Sequence, residues 1–349
     1  MCEEIMIENL GISVFATCPP FDPGLPDYPG RVTETSRWSE AHGCRGALVY
    51  TDNGMLDPWL VAQLMIERTE TLRPLVAVQP VYTHPYTVAK AITSLAALTG
   101  RAVDLNWVAG GFTRDLQALG ESVPHDERYS RMVAYADIIA SLLRGDEPVT
   151  REGPRHAVEN LSLTPPLPAE LMPGMFVSGS SEAGRGAAMA LGAVAVEYPP
   201  PVPEELEAFK DGPRERGMRL GIIARDADDD AWTVAMRRFP PDRQGRVMHQ
   251  YAMSVSDSSW HAQLGAHAAR TNRPDSPYWM IPFENYKTFC PYLVGSYERV
   301  AEVVAHHLRC GYRWFILDVP FQEDDLMHAR RTFEIAVEQA LPARTGAAG

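Results

Sequence analysis

Lysine is nearly missing from this sequence: Lys90, Lys210 and Lys287 are the only three, and arginine carries the remaining positive charge. That bias fits a G+C-rich genome better than a binding function. Positive charge as a whole is outnumbered, 32 Lys and Arg against 45 Asp and Glu, for a net charge of -13. With no basic stretch either, nucleic acid is excluded as a natural partner. No apolar run is long enough for a membrane-spanning helix. The start, Met1-Cys2-Glu3-Glu4, lacks the positive segment of a secretory signal. Cysteine is sparse, and Cys2, Cys18, Cys44, Cys290 and Cys310 form no CxxC pair. Free thiols in a reducing cytoplasm are expected.

Several chemical motifs are missing too. No GxGxxG follows a strand, and Gly110-Gly111 is too short to count, so Rossmann-type dinucleotide binding is not expected. No metal site is expected: HExxH does not occur, and His306-His307, adjacent on a helix, cannot chelate together. No GxSxG supports a hydrolase. Asp228-Asp229-Asp230 lacks an EF-hand loop and reads as charge at a helix start.

What is present is a regular alternation of buried strands and helices. Its centre is Leu75–Tyr129. Leu75–Val78 and Val103–Val108 are strand runs, and between them a helix from about Pro85 to Leu98 begins near a proline and ends at Gly100. Strand, helix and strand with short joins make a βαβ unit, the building block of parallel sheets. Further strands are predicted at Gly11–Thr17, Ala47–Tyr50, Met175–Val177, Val194–Glu197, Arg219–Ala224 and Trp314–Asp318. Helices are predicted at Glu34–His42, Trp59–Thr69 with Asp57 as its cap, Tyr129–Arg144, Glu182–Leu191, Ala231–Arg238 with an aspartate cap, Tyr297–Arg309 and Met327–Ala340. Another is predicted beyond Pro203. Gly145–Pro168 reads as an excursion from this pattern. The pattern also stops at Phe239–Tyr292, an aromatic-rich insert with Tyr251, Trp260, Tyr278, Trp279, Phe283, Tyr286 and Phe289, which reads as a lid or helical subdomain. About eight strands alternating with helices predict an α/β fold, a (β/α)8 TIM barrel. The 349 residues are then one domain, with a frayed tail at 342–349.

In such barrels ligands bind at the C-terminal ends of the strands. Ser178-Gly179-Ser180-Ser181 lies between a strand and a helix and offers hydroxyls, backbone N–H groups and a helix N-terminus. That suits an anion, although a serine-rich helix cap reads the same way. His125 and Tyr129, at i and i+4, can face one site. Alone, His125 reads as an ordinary loop histidine. Asn106 sits near a strand end, where its amide either caps the strand or reads a ligand. Thr51 and Gln79 end the second and third strands.

Three pieces, in order and at these separations, resemble the luciferase-like family of flavin monooxygenases, most closely its alkanesulfonate monooxygenase branch. They are Thr87-Val88-Ala89-Lys90, Leu105-Asn106-Trp107-Val108-Ala109-Gly110 and His125-Asp126-Glu127-Arg128-Tyr129. The resemblance implies reduced FMN as cofactor, O2 as co-substrate and a separate NAD(P)H:FMN reductase as partner. It also implies a homodimer or homotetramer. It assigns Ser178, Gly179, Ser180 and Ser181 to the flavin phosphate, with Asn106, His125 and Tyr129 beside the cofactor; Thr51 and Gln79, from their strand-end positions, are further candidate neighbours of the flavin.

The substrate half departs from that branch. Met55 stands where the branch has a cysteine ahead of Asp57-Pro58-Trp59, so Met55 and Trp59 are expected to face the substrate. Arg219-Leu220-Gly221 keeps the branch's arginine but lacks its histidine. Tyr286 and Lys287 are the nearest replacements for an arginine of a mobile loop. Arg219, Lys287 and Tyr286 are therefore the catalytic candidates, acting on a small organic substrate other than a simple alkanesulfonate. A deazaflavin (F420)-dependent oxidoreductase and a non-catalytic flavin-binding protein are the alternatives on the same barrel.

Overall fold

The computed structural model describes residues 10–145, 147–153, 156–199, 215–254 and 276–340. Outside them lie Cys2, Lys210, Trp260 with the middle of the insert, the helix expected beyond Pro203, and the tail at 342–349.

Eight parallel strands close on themselves. In chain order they are β1 (Ser13–Thr17), β2 (Gly46–Val49), β3 (Arg73–Val78), β4 (Asp104–Trp107), β5 (Met175–Ser178), β6 (Val194–Glu197), β7 (Arg216–Arg225) and β8 (Tyr312–Leu317). Each pairs with its sequence neighbour, and β8 returns to β1 through Ser13↔Trp314, Val14↔Phe315 and Phe15↔Ile316. The predicted (β/α)8 barrel is the fold.

Strand alternation sorts the core. Phe15, Leu48, Leu75, Phe176, Val196 and Ile316 form one cluster, filling the barrel. Phe15, Phe176 and Trp314 meet there with ring centroids 5.1–6.4 Å apart. The alternate residues Val14 and Ala16 belong to a second cluster that includes residues of the outer helices.

The helices form for reasons legible in their ends. Pro85 opens Pro85–Thr99 and Gly100, left-handed at φ 68°, closes it. Its Val88, Ala89, Ile92 and Leu95 are buried. Each large apolar side chain so buried contributes roughly 1.5–3 kcal/mol. Asp57 caps Pro58–Arg68, its Oδ1 accepting from the N–H groups of Trp59 at 2.9 Å and Leu60 at 3.3 Å.

Four local expectations need correction. The first helix is Tyr28–Ala41, starting earlier than Glu34 because Asp27 adopts a left-handed conformation and accepts from Gly30 N–H. The excursion at 145–168 contains a small antiparallel hairpin, Val149–Arg151 with Val158–Leu161. Helix Asp228–Arg238 has no side-chain cap: its aspartates occupy the first turn, and Asp228 instead takes the Ser296 N–H at 2.6 Å and the Arg299 guanidinium at 2.7 Å. The insert also ends in barrel-like structure, since Tyr292–Ser296 runs parallel to the second half of β7, Gly221–Arg225.

At the N-terminal end of the strands Asp104 is fully buried. It pairs with Arg45 at 3.2 Å and Arg73 at 3.4 Å and accepts from Gly174 N–H at 2.8 Å. That end is structural. No described helix is long and apolar enough to cross a membrane.

Candidate active site

A cavity of about 650 Å³ opens at the C-terminal ends of the strands, well inside the roughly 300–1,000 Å³ usual for small-molecule sites. Tyr50, Gln79, Val108, Ser178, Tyr198 and Asp318, each at or just past a strand's end, contribute to its wall. The strand pattern thus delivers side chains from six different strands to one space.

One end is built on β5. Ser178 Oγ donates to Asn106 Oδ1 at 2.8 Å, fixing the hydroxyl and occupying the amide oxygen. Ser181 caps helix Glu182–Leu191, accepting from Gly184 N–H at 3.0 Å. Between them Gly179 is pressed against Tyr129: a Cβ there would lie 2.3 Å from the tyrosine hydroxyl. Tyr129 and His125 share the helix His125–Arg144 with ring centroids 5.2 Å apart, and His125 Nδ1 lies 2.7 Å from Asp126 Oδ1. Arg128, from the same motif, is buried and donates to the carbonyls of Val123 at 3.1 Å and Gly110 at 3.2 Å. It tethers the glycine turn after β4 to this helix, a positioning role that the sequence alone does not reveal.

Of the residues assigned to the cofactor, Thr51, Gln79, Tyr129 and Ser178 face the cavity. Asn106 stands behind Ser178, and His125, Gly179, Ser180 and Ser181 lie beyond the cavity wall. Gln79 is only 8% exposed, and its amide has no hydrogen-bond partner among the described residues. Lining the cavity, that amide is free to meet a ligand or water. The unpartnered amide, Ser178 and the helix N-terminus behind it could hold a polar ring edge at one place and a phosphate at another, the two ends of a flavin mononucleotide.

The other side of the cavity holds the catalytic candidates. Arg219 has a side chain 9% exposed. Its Nη2 donates to Tyr50 O–H, its guanidinium lies 5.1 Å from the Tyr50 ring, and Asp318 is 3.9 Å away. Burial opposes the charge on Arg219, but its pKa is nonetheless raised, with the Asp318 carboxylate beside it, so the guanidinium stays protonated. Burial pushes Tyr50 and Tyr198 upward as well, so both remain neutral phenols at ordinary pH. Asp318 also accepts from Thr288 Oγ1 at 2.6 Å and Tyr292 O–H at 2.8 Å.

The absent histidine has a structural counterpart. A Cβ on Gly221 would lie 2.3 Å from the Tyr292 ring. The tyrosine fills that space, and its hydroxyl reaches Asp318.

Lys287 lines the cavity but is half exposed and paired with Asp242 at 2.9 Å. Tyr286 holds a left-handed φ of 57° and packs on Phe289 rather than on the cavity. Burial, then Asp52 and Asp115, raises its pKa. Met55 faces the cavity, whereas Trp59 packs into the core against Pro58–Arg68's neighbours. Both ends of the insert contribute to the wall, through Phe239 and Phe289. Tyr50, Asp318 and Arg31 were not anticipated. None belongs to a motif, and their placement depends on contacts between distant elements.

Comparison with known proteins fits this geometry. The 4-(gamma-L-glutamylamino)butanoyl-[BtrI acyl-carrier protein] monooxygenase BtrO of Niallia circulans is 32% identical over 323 residues, spanning 89% of this chain and 94% of that one. Among solved structures, EDTA monooxygenase from Chelativorans sp. BNC1 superimposes with a TM-score of 0.69 at 12% identity, covering 95% of each chain. An F420-dependent secondary alcohol dehydrogenase gives 0.63 at 14% identity, covering 93% of this chain and 99% of that one. At such identities the two structural likenesses speak for the fold alone. The pattern of the luciferase-like monooxygenases matches residues 11–312, and the chain belongs to that family.

Proposed function

We propose that this chain is the oxygenase of a two-component system. It takes reduced FMN from a separate NAD(P)H:FMN reductase and uses O2 to oxygenate a small acyl substrate carried on an acyl-carrier protein. The observation that carries the cofactor half is the Gln79 amide, without a hydrogen-bond partner among the described residues, in a cavity that Ser178 also lines. The carrier-bound substrate is suggested by the relative from Niallia circulans, which matches along almost its whole length.

Bound reduced FMN and O2 would supply the oxygen-transfer chemistry. The chain's own residues then bind, orient and exclude water. Ser178, Ser180, Ser181 and the helix N-terminus hold the phosphate, with Gly179 and Tyr129 setting how closely it approaches. His125 supports that end through its contact with Tyr129. Gln79 and Thr51 meet the polar edge of the ring, and Asn106 acts indirectly by fixing Ser178. Arg219, held by Tyr50 and Asp318, presents a fixed positive charge that steadies negative charge developing on the substrate. Met55, Phe289 and Phe321 supply apolar wall that keeps water out. Lys287 and Tyr286 sit on the insert, where the Lys287–Asp242 pair ties down the segment before Phe289.

The test is turnover of acylated carrier protein with reductase, NAD(P)H, FMN and O2. Addition of one oxygen atom, lost when the reductase or O2 is left out, supports the reading. Turnover that continues without any source of reduced flavin sinks it, and anaerobic turnover with reduced F420 moves the chain to hydride transfer.

A further inference from the structure

The two cationic catalytic candidates are already engaged, Arg219 by Tyr50 and Asp318 and Lys287 by Asp242. Arg31 is not. It lies in the first turns of helix Tyr28–Ala41 and lines the cavity. Its Nε and Nη2 are withdrawn from solvent and have no hydrogen-bond partner, and it makes no ion pair among the described residues. Its guanidinium carbon lies 5.6 Å from the centre of the Tyr28 ring.

The two groups beside the guanidinium, Cys18 and Tyr28, supply no counter-charge. Burial pushes the Cys18 thiol up to about 12 and raises Tyr28 as well, so both are neutral at ordinary pH. Asp22 and Glu34 also line this stretch of the cavity, but neither is ion-paired with Arg31 among the described residues. Nε and Nη2 form one edge of the planar guanidinium, the fork that takes both oxygens of a carboxylate once the side chain turns that edge into the cavity. A guanidinium edge buried without such a partner is costly, and a ligand carboxylate removes the cost.

Topology separates this charge from the phosphate end. Arg31 follows β1 and the serine turn follows β5, and in a closed ring of eight strands these are opposite one another. We infer that Arg31 is the substrate's anion anchor, taking a terminal carboxylate on the acyl chain at the end of the cavity opposite the cofactor phosphate. This rests on the oxygenase reading of the same cavity, and it makes the preferred substrate an acyl group with a free acid at its far end.

The probes are ω-carboxyacyl pantetheine thioesters from glutaryl to sebacoyl, each beside the analogue whose terminal acid is a carboxamide. Binding to the full chain is measured by calorimetry, with FMN binding measured in parallel. The wild type should prefer at least one acid over its amide by about 30-fold, the range of a charge-assisted hydrogen bond. Arg31→Met should erase that preference, leaving the amide and FMN within about twofold of wild type, while Arg31→Lys should retain part of it. No acid preference at any length in the wild type, or a preference that survives Arg31→Met, overturns the inference. Weaker FMN binding in Arg31→Met also overturns it, by placing the arginine at the cofactor. Failure of the wild type to bind FMN at all would fault the oxygenase reading instead, whichever probe Arg31 prefers.

Discussion

The Tyr129 hydroxyl lies so close over Gly179 that the glycine has no room for a Cβ, which would come within 2.3 Å of it. Two motifs about fifty residues apart in sequence are thereby locked into one surface. Gly179→Ala should displace the tyrosine and weaken FMN binding by about 10- to 100-fold, the cost of roughly 1–3 kcal/mol of overpacking. Fluorescence titration with FMN checks this, and a denaturation midpoint close to wild type would assign the loss to the site.

Asp318 is the second such junction. It receives the Thr288 and Tyr292 hydroxyls and faces Arg219 at 3.9 Å. Asp318→Ala strips an acceptor from two buried hydroxyls and a counter-charge from a buried guanidinium. Loss of about 3–5 kcal/mol of stability is expected, with Asp318→Asn intermediate. Urea unfolding measures both.

Asp104 separates stability from chemistry. Its pairs with Arg45 and Arg73 lie at the end of the barrel away from the cavity. Asp104→Ala should cost about 3–5 kcal/mol yet leave FMN affinity at 20 °C within about twofold, provided the protein remains folded. A matching loss of affinity in the folded variant would contradict the division of the two faces.

His307 sets part of the acid limb. It is buried and donates from Nδ1 to the Val303 carbonyl at 2.7 Å. Burial is the main cause that holds its pKa down at about 4, below the ordinary histidine value of about 6.5. The unfolded chain therefore binds the proton more readily between these values. The stability from neutral His307 is complete above about pH 6.5 and is lost as pH falls toward 4, on the order of 3 kcal/mol in all. Replacing it by Gln should flatten the stability profile over that window, measured by urea midpoints from pH 4 to 7.

Much of the barrel was legible because its signals are local. Strand runs, Pro85 and Gly100 around a helix, and the Asp57 cap each involve residues close in sequence. The strand Tyr292–Ser296 was not, because an apolar run after an aromatic insert carries no sign of which strand it will join. The site divided the same way. Ser178, Tyr129 and Gln79 sit at strand ends or at helical spacing, whereas Arg31 reads in sequence as one more arginine near a Pro- and Gly-rich loop. Only the fold withdraws two of its nitrogens from water. Arg219 and Lys287 stood out as cations, but their engagement by Asp318 and Asp242 depends on contacts that sequence spacing does not encode.

The measurement closest to the central claim is anaerobic titration of the purified chain with reduced FMN and with reduced F420, followed by admission of O2. The account predicts tighter binding of reduced FMN, competition by oxidised FMN at the same site, and flavin oxidation only after O2 enters. Binding of reduced F420 in preference to FMN, with no response to O2, would contradict it.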